Sequence, residues 1–136
     1  MKKQTVKVSR FTDNKDGTIT DNKTGLVWIK DHDAISGFNK RMNWTEAIEA
    51  CKNLDYAGHK DWRLPTREEL ESILDLTKHE PAADPVFKTH TDDWYWTSTP
   101  TAWSRGGAWY VGFSSGHVGG YGKDVGNYVR PVRSSQ

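Results

Sequence analysis

The hydrophobic pattern of the chain predicts strands towards both ends. A fully apolar run at 26–29 follows a short β-branched segment at 18–20, and both are surrounded by Asn, Asp and Gly residues that favour turns. In the second half, β-branched and aromatic residues cluster at 95–98, 108–113 and 128–132. The pattern therefore predicts short, paired strands before and after the middle of the chain.

Two helices are predicted between these groups of strands. Asn43 and Glu46 have capping-box spacing at the start of a helix over 43–54, and Thr66 and Glu69 repeat it for a second helix. Apolar residues at helical spacing predict the buried faces, namely Ala47, Ile48, Cys51 and Leu54 in the first and Leu70, Ile73 and Leu74 in the second, with Leu76 as a further candidate. Strands, two helices and strands in this order predict an α+β fold with segregated helices.

Residues 1–10 are polar and are predicted to be an arm or an edge strand. The chain length predicts one domain, and its bounds of 11–133, with a tail at 134–136, are those implied by the family resemblance given below. Within the domain, the glycine-rich segment 116–126 is predicted to be a surface loop.

Composition narrows the classes of function. The 136 residues carry 19 basic and 18 acidic side chains, and a net charge of +1 argues against a general attraction to nucleic acid or membrane surfaces. The mean hydropathy of −0.83 is low, but seven tryptophans supply apolar surface for one core. No run is apolar enough for a signal peptide or a membrane span, so we expect a soluble protein or one domain of a longer one.

Catalytic and metal-binding motifs do not stand out in the sequence. Cys51 is the only cysteine, which excludes an intrachain disulfide, and its place on an apolar helix face predicts an inert thiol. The five histidines lack metal-ligand spacing and are predicted to be solvated. Asp92 and Asp93 could hold Ca²⁺ through their hard oxygen atoms, although an acidic pair alone is equally typical of a plain surface segment.

Apart from Trp62, the seven tryptophans divide into two groups. Four of them fall in strand or helix positions and are predicted to be core residues, namely Trp28, Trp44, Trp96 and Trp109. Trp94 and Trp103 fall at loop edges beside polar residues, where an exposed indole could stack on a sugar ring; ordinary packing is the alternative.

A basic and aromatic patch is predicted beside these loop tryptophans. His117, Tyr121 and Lys123 lie in the glycine-rich segment, and Arg105 could join them to contact sulfate or carboxylate groups. The alternative is a flexible turn with incidental polar residues. For the segment 61–66, we expect Trp62 and Leu64 in the core and Arg63 paired with a carboxylate, rather than Arg63 acting as an anion ligand.

A set of motifs gives the chain a family resemblance. In order they are Gly25-Leu26-Val27-Trp28, Trp44-x-x-Ala47, Asp61-Trp62-Arg63-Leu64-Pro65-Thr66-x-x-Glu69-Leu70, Tyr95-Trp96-Thr97-Ser98-Thr99, Ala108-Trp109-Tyr110-Val111-x-Phe113 and Tyr128-Val129-Arg130-x-Val132-Arg133. Each motif is weak alone, but the ordered set is specific. With it the chain resembles the bacterial domain of unknown function 1566, also called the Lcl C-terminal domain after a collagen-like adhesin.

The resemblance carries expectations about fold and function. It implies a C-type-lectin-like fold, related to formylglycine-generating enzymes, in which both termini join one sheet and the loop-rich second half carries the ligand. It also implies an extracellular, cell-surface or periplasmic setting, carbohydrate binding or adhesion, and trimers in at least one adhesin. We therefore predict a non-enzymatic surface module that binds glycan, sulfated, acidic or neutral, or a protein ligand. The alternative is a structural subunit of a surface filament or oligomeric stalk head.

Overall fold

The structure, a computed structural model, describes residues 9–89, 94–102, 106–114 and 116–134, with the backbone alone at Tyr121. It contains two α-helices, one short 3₁₀ helix at His32–Ala34 and seven strands within these ranges. Their bounds are β1 Phe11–Asp13, β2 Thr18–Asp21, β3 Leu26–Ile29, α1 Trp44–Lys52, α2 Arg67–Ser72, β4 Trp94–Pro100, β5 Gly107–Gly112, β6 His117–Gly122 and β7 Val132–Ser134. The predicted α+β order is confirmed.

The strands form two antiparallel sheets. The first has the order β1-β2-β3-β7, so the carboxy-terminal strand returns to pair with β3, and Trp28 lies opposite Val132. The second sheet, β4-β5-β6, is built wholly from the second half of the chain. The last strand starts later than the predicted run 128–132, because Pro131 has no N–H to donate to a ladder.

Both helices begin at the predicted caps. In each, the side chain of the cap residue accepts a hydrogen bond from the backbone N–H three positions on, and the glutamate there accepts one from the cap residue's own N–H. The second helix is short and ends at Ser72, so the expected buried stripe continues only to Ile73 and, partly, Leu74. Leu76 lies beyond the helix with 74% of its surface exposed, and its assignment to that stripe is wrong.

The core consists of two clusters, and each takes residues from both sheets. One packs Val27 and Ile29 of the first sheet with Trp96 and Ala108 of the second. The other packs residues such as Trp28 and Val132 with Tyr95, Val111 and Phe113. Trp28 and Trp96 are fully buried, as predicted. Trp44 and Trp109 are only half-buried.

The glycine-rich segment is not a loop through most of its length. Residues 117–122 form β6, which pairs along its whole length with β5, from His117 opposite Gly112 to Gly122 opposite Gly107. Glycine has low strand propensity, so the segment does not look like a strand in isolation. It is a strand because it pairs with β5, where Gly119 leaves room for the ring of Tyr110.

The prediction of solvated histidines is wrong for His32. This residue is 1% exposed, and it lies between the backbone carbonyl of Phe38 and the hydroxyl of Tyr95. A carbonyl only accepts, so His32 Nδ1 carries the proton and donates to it at 2.8 Å, while Nε2 accepts from the Tyr95 hydroxyl at 2.7 Å. The Tyr95 hydroxyl comes from a distant part of the chain, which sequence spacing does not show.

Candidate functional site

Some predicted site residues lie outside the described residues. These are Trp103 and Arg105 of the proposed patch and Asp92 and Asp93 of the proposed Ca²⁺ site. Tyr121 is placed by its backbone in β6, opposite Ala108. Trp94, His117 and Lys123 are fully described.

Trp94 lies at the start of a strand. It is the first residue of β4, is half-buried, and packs against Tyr110 of β5 with a ring-centroid distance of 4.5 Å. His117 of β6 is exposed, and its ring centroid is 6.4 Å from that of Trp94. The three side chains form one aromatic group across all three strands of the second sheet.

Two glycines allow these rings to lie close to the sheet. Trp94 is paired with Gly112, where a Cβ atom would be only 2.7 Å from the indole. Tyr110 is paired with Gly119, where a Cβ atom would be 2.9 Å from the phenol ring. Each aromatic ring therefore leans over a glycine of the neighbouring strand, and a side chain there would displace it.

A cleft of about 260 Å³ opens beside the two rings. Its lining consists of Trp94 and Tyr110 on the sheet and Val125, Gly126 and Asn127 from the segment that follows β6. This segment is anchored by a pair of backbone hydrogen bonds between Asn127 and Met42, each 2.9 Å long. The cleft therefore lies between two fixed backbones.

Asn127 brings an unusual polar group to this cleft. The residue is 6% exposed, and its Nδ2 atom has no hydrogen-bond acceptor within the described part of the chain. Most buried amide groups in proteins have a partner, so such a donor is a marker for a missing acceptor. Asn127 and Tyr110 were not predicted as site residues, although the alternation along 108–113 already places Tyr110 on the opposite face from Trp109.

The predicted basic patch is not brought together among its described members. His117 and Lys123 lie at opposite ends of β6, about 20 Å apart for six residues of extended chain. Lys123 instead contacts the start of the first helix: its Nζ lies 4.1 Å from the centroid of the Trp44 ring, and its carbonyl accepts from the Trp44 amide. This is a cation–π contact that secures the segment after β6.

A second and larger cavity lies near the two helices. This groove has a volume of about 610 Å³, an apolar floor of Ile48, Trp62 and Leu64, and a rim with Lys52 and Lys60. The predicted burial of Trp62 and Leu64 is confirmed, since both are 3% exposed.

Arg63, which also lines the groove, is held by a carboxylate, as predicted. It donates two hydrogen bonds to Glu69, of 2.7 and 2.8 Å. Burial alone would raise the pKa of Glu69, but the bonds from Arg63 and from the Thr66 amide outweigh it and hold that pKa below its usual value. Arg63 is therefore already paired in this structure.

The described residues contain little that suggests catalysis. Cys51 is 1% exposed, and burial raises the pKa of its thiol to about 12, so the thiolate form that reacts with electrophiles is strongly disfavoured. Within residues 9–89, 94–102, 106–114 and 116–134, there is no group of three or more His, Cys, Asp or Glu side chains placed to hold a metal ion. No helix in these ranges is long and apolar enough to cross a membrane.

Comparison with known proteins gives one family. A search among curated proteins returned no match. A family model described as the Lcl C-terminal domain matches residues 17–133, which include both helices and the whole second sheet. A domain of this kind fits a surface-associated module. The match covers most of the chain, which therefore belongs to the Lcl C-terminal domain family.

Proposed function

We propose that this domain is a non-enzymatic binding module that recognises glycan at a bacterial surface through its carboxy-terminal half. The observation that carries the proposal is the pair of half-buried rings Trp94 and Tyr110, with centroids 4.5 Å apart, beside an open cleft. An aromatic ring held at the surface offers a flat apolar face to the C–H groups of a sugar ring. The exposed His117 next to Trp94 adds a polar group at the same place.

The glycan surface extends, in this proposal, along the second sheet. Lys123 stands at the far end of β6, and Trp103 and Arg105 are included on the basis of the sequence alone. Cationic groups at that end would suit sulfate or carboxylate groups of a longer chain. Both neutral and acidic glycans therefore belong to the proposal.

A glycan array and heparin-affinity chromatography test the proposal on the full chain. Trp94→Ala should lose glycan binding, whereas Trp109→Ala should keep it, because Trp109 lies on the opposite face of β5 under the guanidinium of Arg67.

The triple variant Trp103→Ala, Arg105→Ala, Lys123→Ala tests the extension along the sheet. Repeating the array with a chelator decides whether Ca²⁺ takes part through Asp92 and Asp93, which the sequence left open. If the wild-type protein binds no glycan, the proposal is wrong.

A C-type-lectin-like fold is the second part of the proposal. Two features support it: β7 returns to the sheet that contains the amino-terminal strands, and the second half of the chain forms a sheet of its own. Comparison of an experimental structure with known lectin-like domains tests this part independently of ligand binding.

The alternative proposal, a subunit of a filament or oligomeric stalk head, has less support from the geometry. Among the described residues, Leu76 is the large apolar side chain that is strongly exposed, and one such leucine is common on monomeric proteins. Light scattering over a range of concentrations distinguishes the two. A stable trimer or larger assembly that Leu76→Ser dissociates would favour the structural alternative.

A further inference from the structure

We infer that the cleft lined by Trp94, Tyr110, Val125, Gly126 and Asn127 binds a single uncharged sugar ring. The inference rests on the proposed function and narrows it to one site and one charge class. Its three supports are the chemistry of the lining, the unpartnered amide of Asn127 and the size of the cleft.

The lining favours a neutral ligand. It consists of two aromatic rings, one aliphatic side chain, one glycine and one carboxamide, and none of these carries a charge at neutral pH. A carboxylate or sulfate that entered the cleft would lose hydration without gaining a cation from these described lining residues, which is unfavourable. A neutral sugar ring can cover the aromatic faces with its C–H groups and direct its hydroxyls elsewhere.

The amide of Asn127 supplies the polar contact that such a ring needs. Its Nδ2 atom is buried and lacks an acceptor within the described ranges, while the backbone of the same residue is fixed by its two bonds to Met42. Asn127 lines the cleft, so a small movement of its side chain would present the amide to a sugar hydroxyl, which both donates and accepts and would complete this group in either orientation of the amide. Because the backbone is already fixed, little order has to be gained on binding.

The size of the cleft limits the ligand to one ring. Its volume of about 260 Å³ lies just below the roughly 300–1,000 Å³ that is typical of sites for drug-sized ligands. The rings that define it are held in place because Gly112 and Gly119 leave room beneath them. The cleft would therefore receive one residue of a glycan, with the rest of the chain outside.

The larger groove provides an internal comparison. Its rim carries Lys52 and Lys60, and Lys60 approaches the nearest carboxylate, that of Asp55, only at 4.0 Å with both side chains well exposed. An acidic sugar would find cations there and none among the described residues that line the cleft. The two sites should thus respond in opposite ways to ligand charge.

The experiment uses the isotope-labelled full chain and nuclear magnetic resonance titration. The probes are the methyl glycosides of glucose, galactose, mannose and N-acetylglucosamine, with glucuronic acid and glucose 6-sulfate as charged counterparts. At least one neutral glycoside should shift the indole Nε1–H signal of Trp94 and the side-chain NH₂ signals of Asn127, and its Kd should be at least fivefold lower than that of either charged probe.

The variants assign the contacts. Trp94→Ala and Asn127→Leu should each raise the Kd for the neutral probe about tenfold, while Lys52→Ala with Lys60→Ala should leave it unchanged. The resonance shifts are measured on the unaltered protein, so they decide the location even if a variant unfolds. Tighter binding of a charged probe, or neutral-probe shifts confined to other residues, would overturn the inference while the proposed function stands. Absence of binding to every glycan of the array would instead remove the proposed function itself.

Discussion

Arg130 places a positive charge in the interior of the domain. It is fully buried, and its guanidinium donates to the carbonyls of Ile29, Lys30 and Lys88 and to the hydroxyl of Thr89. Burial lowers the pKa of Arg130, and interaction with Tyr95 counters part of that effect. One side chain thus joins the end of β3 to the segment that leads towards the second sheet.

Replacing Arg130 should therefore be costly. Arg130→Met leaves the carbonyls it served without that donor, and we expect it to lower the free energy of unfolding by about 3 kcal/mol, measured by urea denaturation. Arg67→Met is the matched control, because Arg67 lies over Trp109 and pairs with Glu71 at the surface. This substitution should lower the free energy of unfolding by less than about 1 kcal/mol. Equal losses would mean that the desolvation of Arg130 cancels the benefit of its bonds.

The pair Arg63–Glu69 makes stability depend on pH. The pKa of Glu69 is lower in the folded protein than its ordinary value of 4.5. The ionised carboxylate therefore makes its full contribution to the free energy of unfolding above pH 4.5, and this contribution disappears as the pH falls through the lower, folded-state pKa. Glu69→Gln should lower the free energy of unfolding by about 1–2 kcal/mol at pH 7. Below pH 4.5, the free energy of unfolding of this variant should decline less steeply than that of the wild type. Some decline will persist, because the pKa of Asp21 is lowered as well.

Urea unfolding at several pH values between 3 and 7 measures this effect. Glu68→Gln is the control, since Glu68 is an exposed residue of the same helix turn. If Glu69→Gln declines as steeply with acidification as the wild type, the pair does not account for the pH dependence.

At the scale of elements, the second sheet depends on glycine beneath its aromatic rings. Gly112→Ala would place a Cβ atom 2.7 Å from the indole of Trp94, so the ring must move. We expect a loss of about 1–2 kcal/mol in unfolding free energy and a clear shift of the Trp94 indole resonance. In a Trp94→Ala background the same substitution should cost almost nothing, because the clash is gone. Equal costs in both backgrounds would contradict this account of the sheet.

The elements that could be predicted from sequence are those determined by local interactions. Both helix starts follow from capping boxes formed within four residues, Asn43 with Glu46 and Thr66 with Glu69. The strand β6 could not be predicted in this way, because its glycine-rich sequence has low strand propensity and its strand structure comes from pairing with β5, where Gly119 lies beneath the ring of Tyr110. The end of the second helix was also missed, which explains the error at Leu76.

The candidate site was predicted only in part for the same reason. Trp94 was identified as a site residue because its type suggests sugar stacking, but its partners Tyr110 and Asn127 come from distant segments. Asn127 reaches the cleft through its backbone pairing with Met42, which sequence reasoning did not anticipate. His32 was misassigned because the hydroxyl that it contacts belongs to Tyr95, on a strand of the other sheet.

For the whole molecule, the shared cores link the two sheets into one unit. Each core cluster contains side chains from both sheets, such as Trp28 with Tyr95 and Val27 with Trp96. In addition, Arg63 exchanges two backbone hydrogen bonds of 2.9 Å with Val132, which connects the segment between the helices to β7. Neither sheet can separate without exposing part of both clusters.

This arrangement predicts a single cooperative unfolding transition. Two amides serve as probes: that of Val132, which donates to Arg63 in the region of the first sheet, and that of Trp96, which donates to Tyr128 beside the second. Native-state hydrogen exchange should give both amides the same opening free energy, equal to the global value from urea denaturation. A markedly lower value for Trp96 would show that the second sheet opens alone. The site would then be assembled on a mobile element, and ligand binding should raise the protection of Trp96 without changing that of Val132.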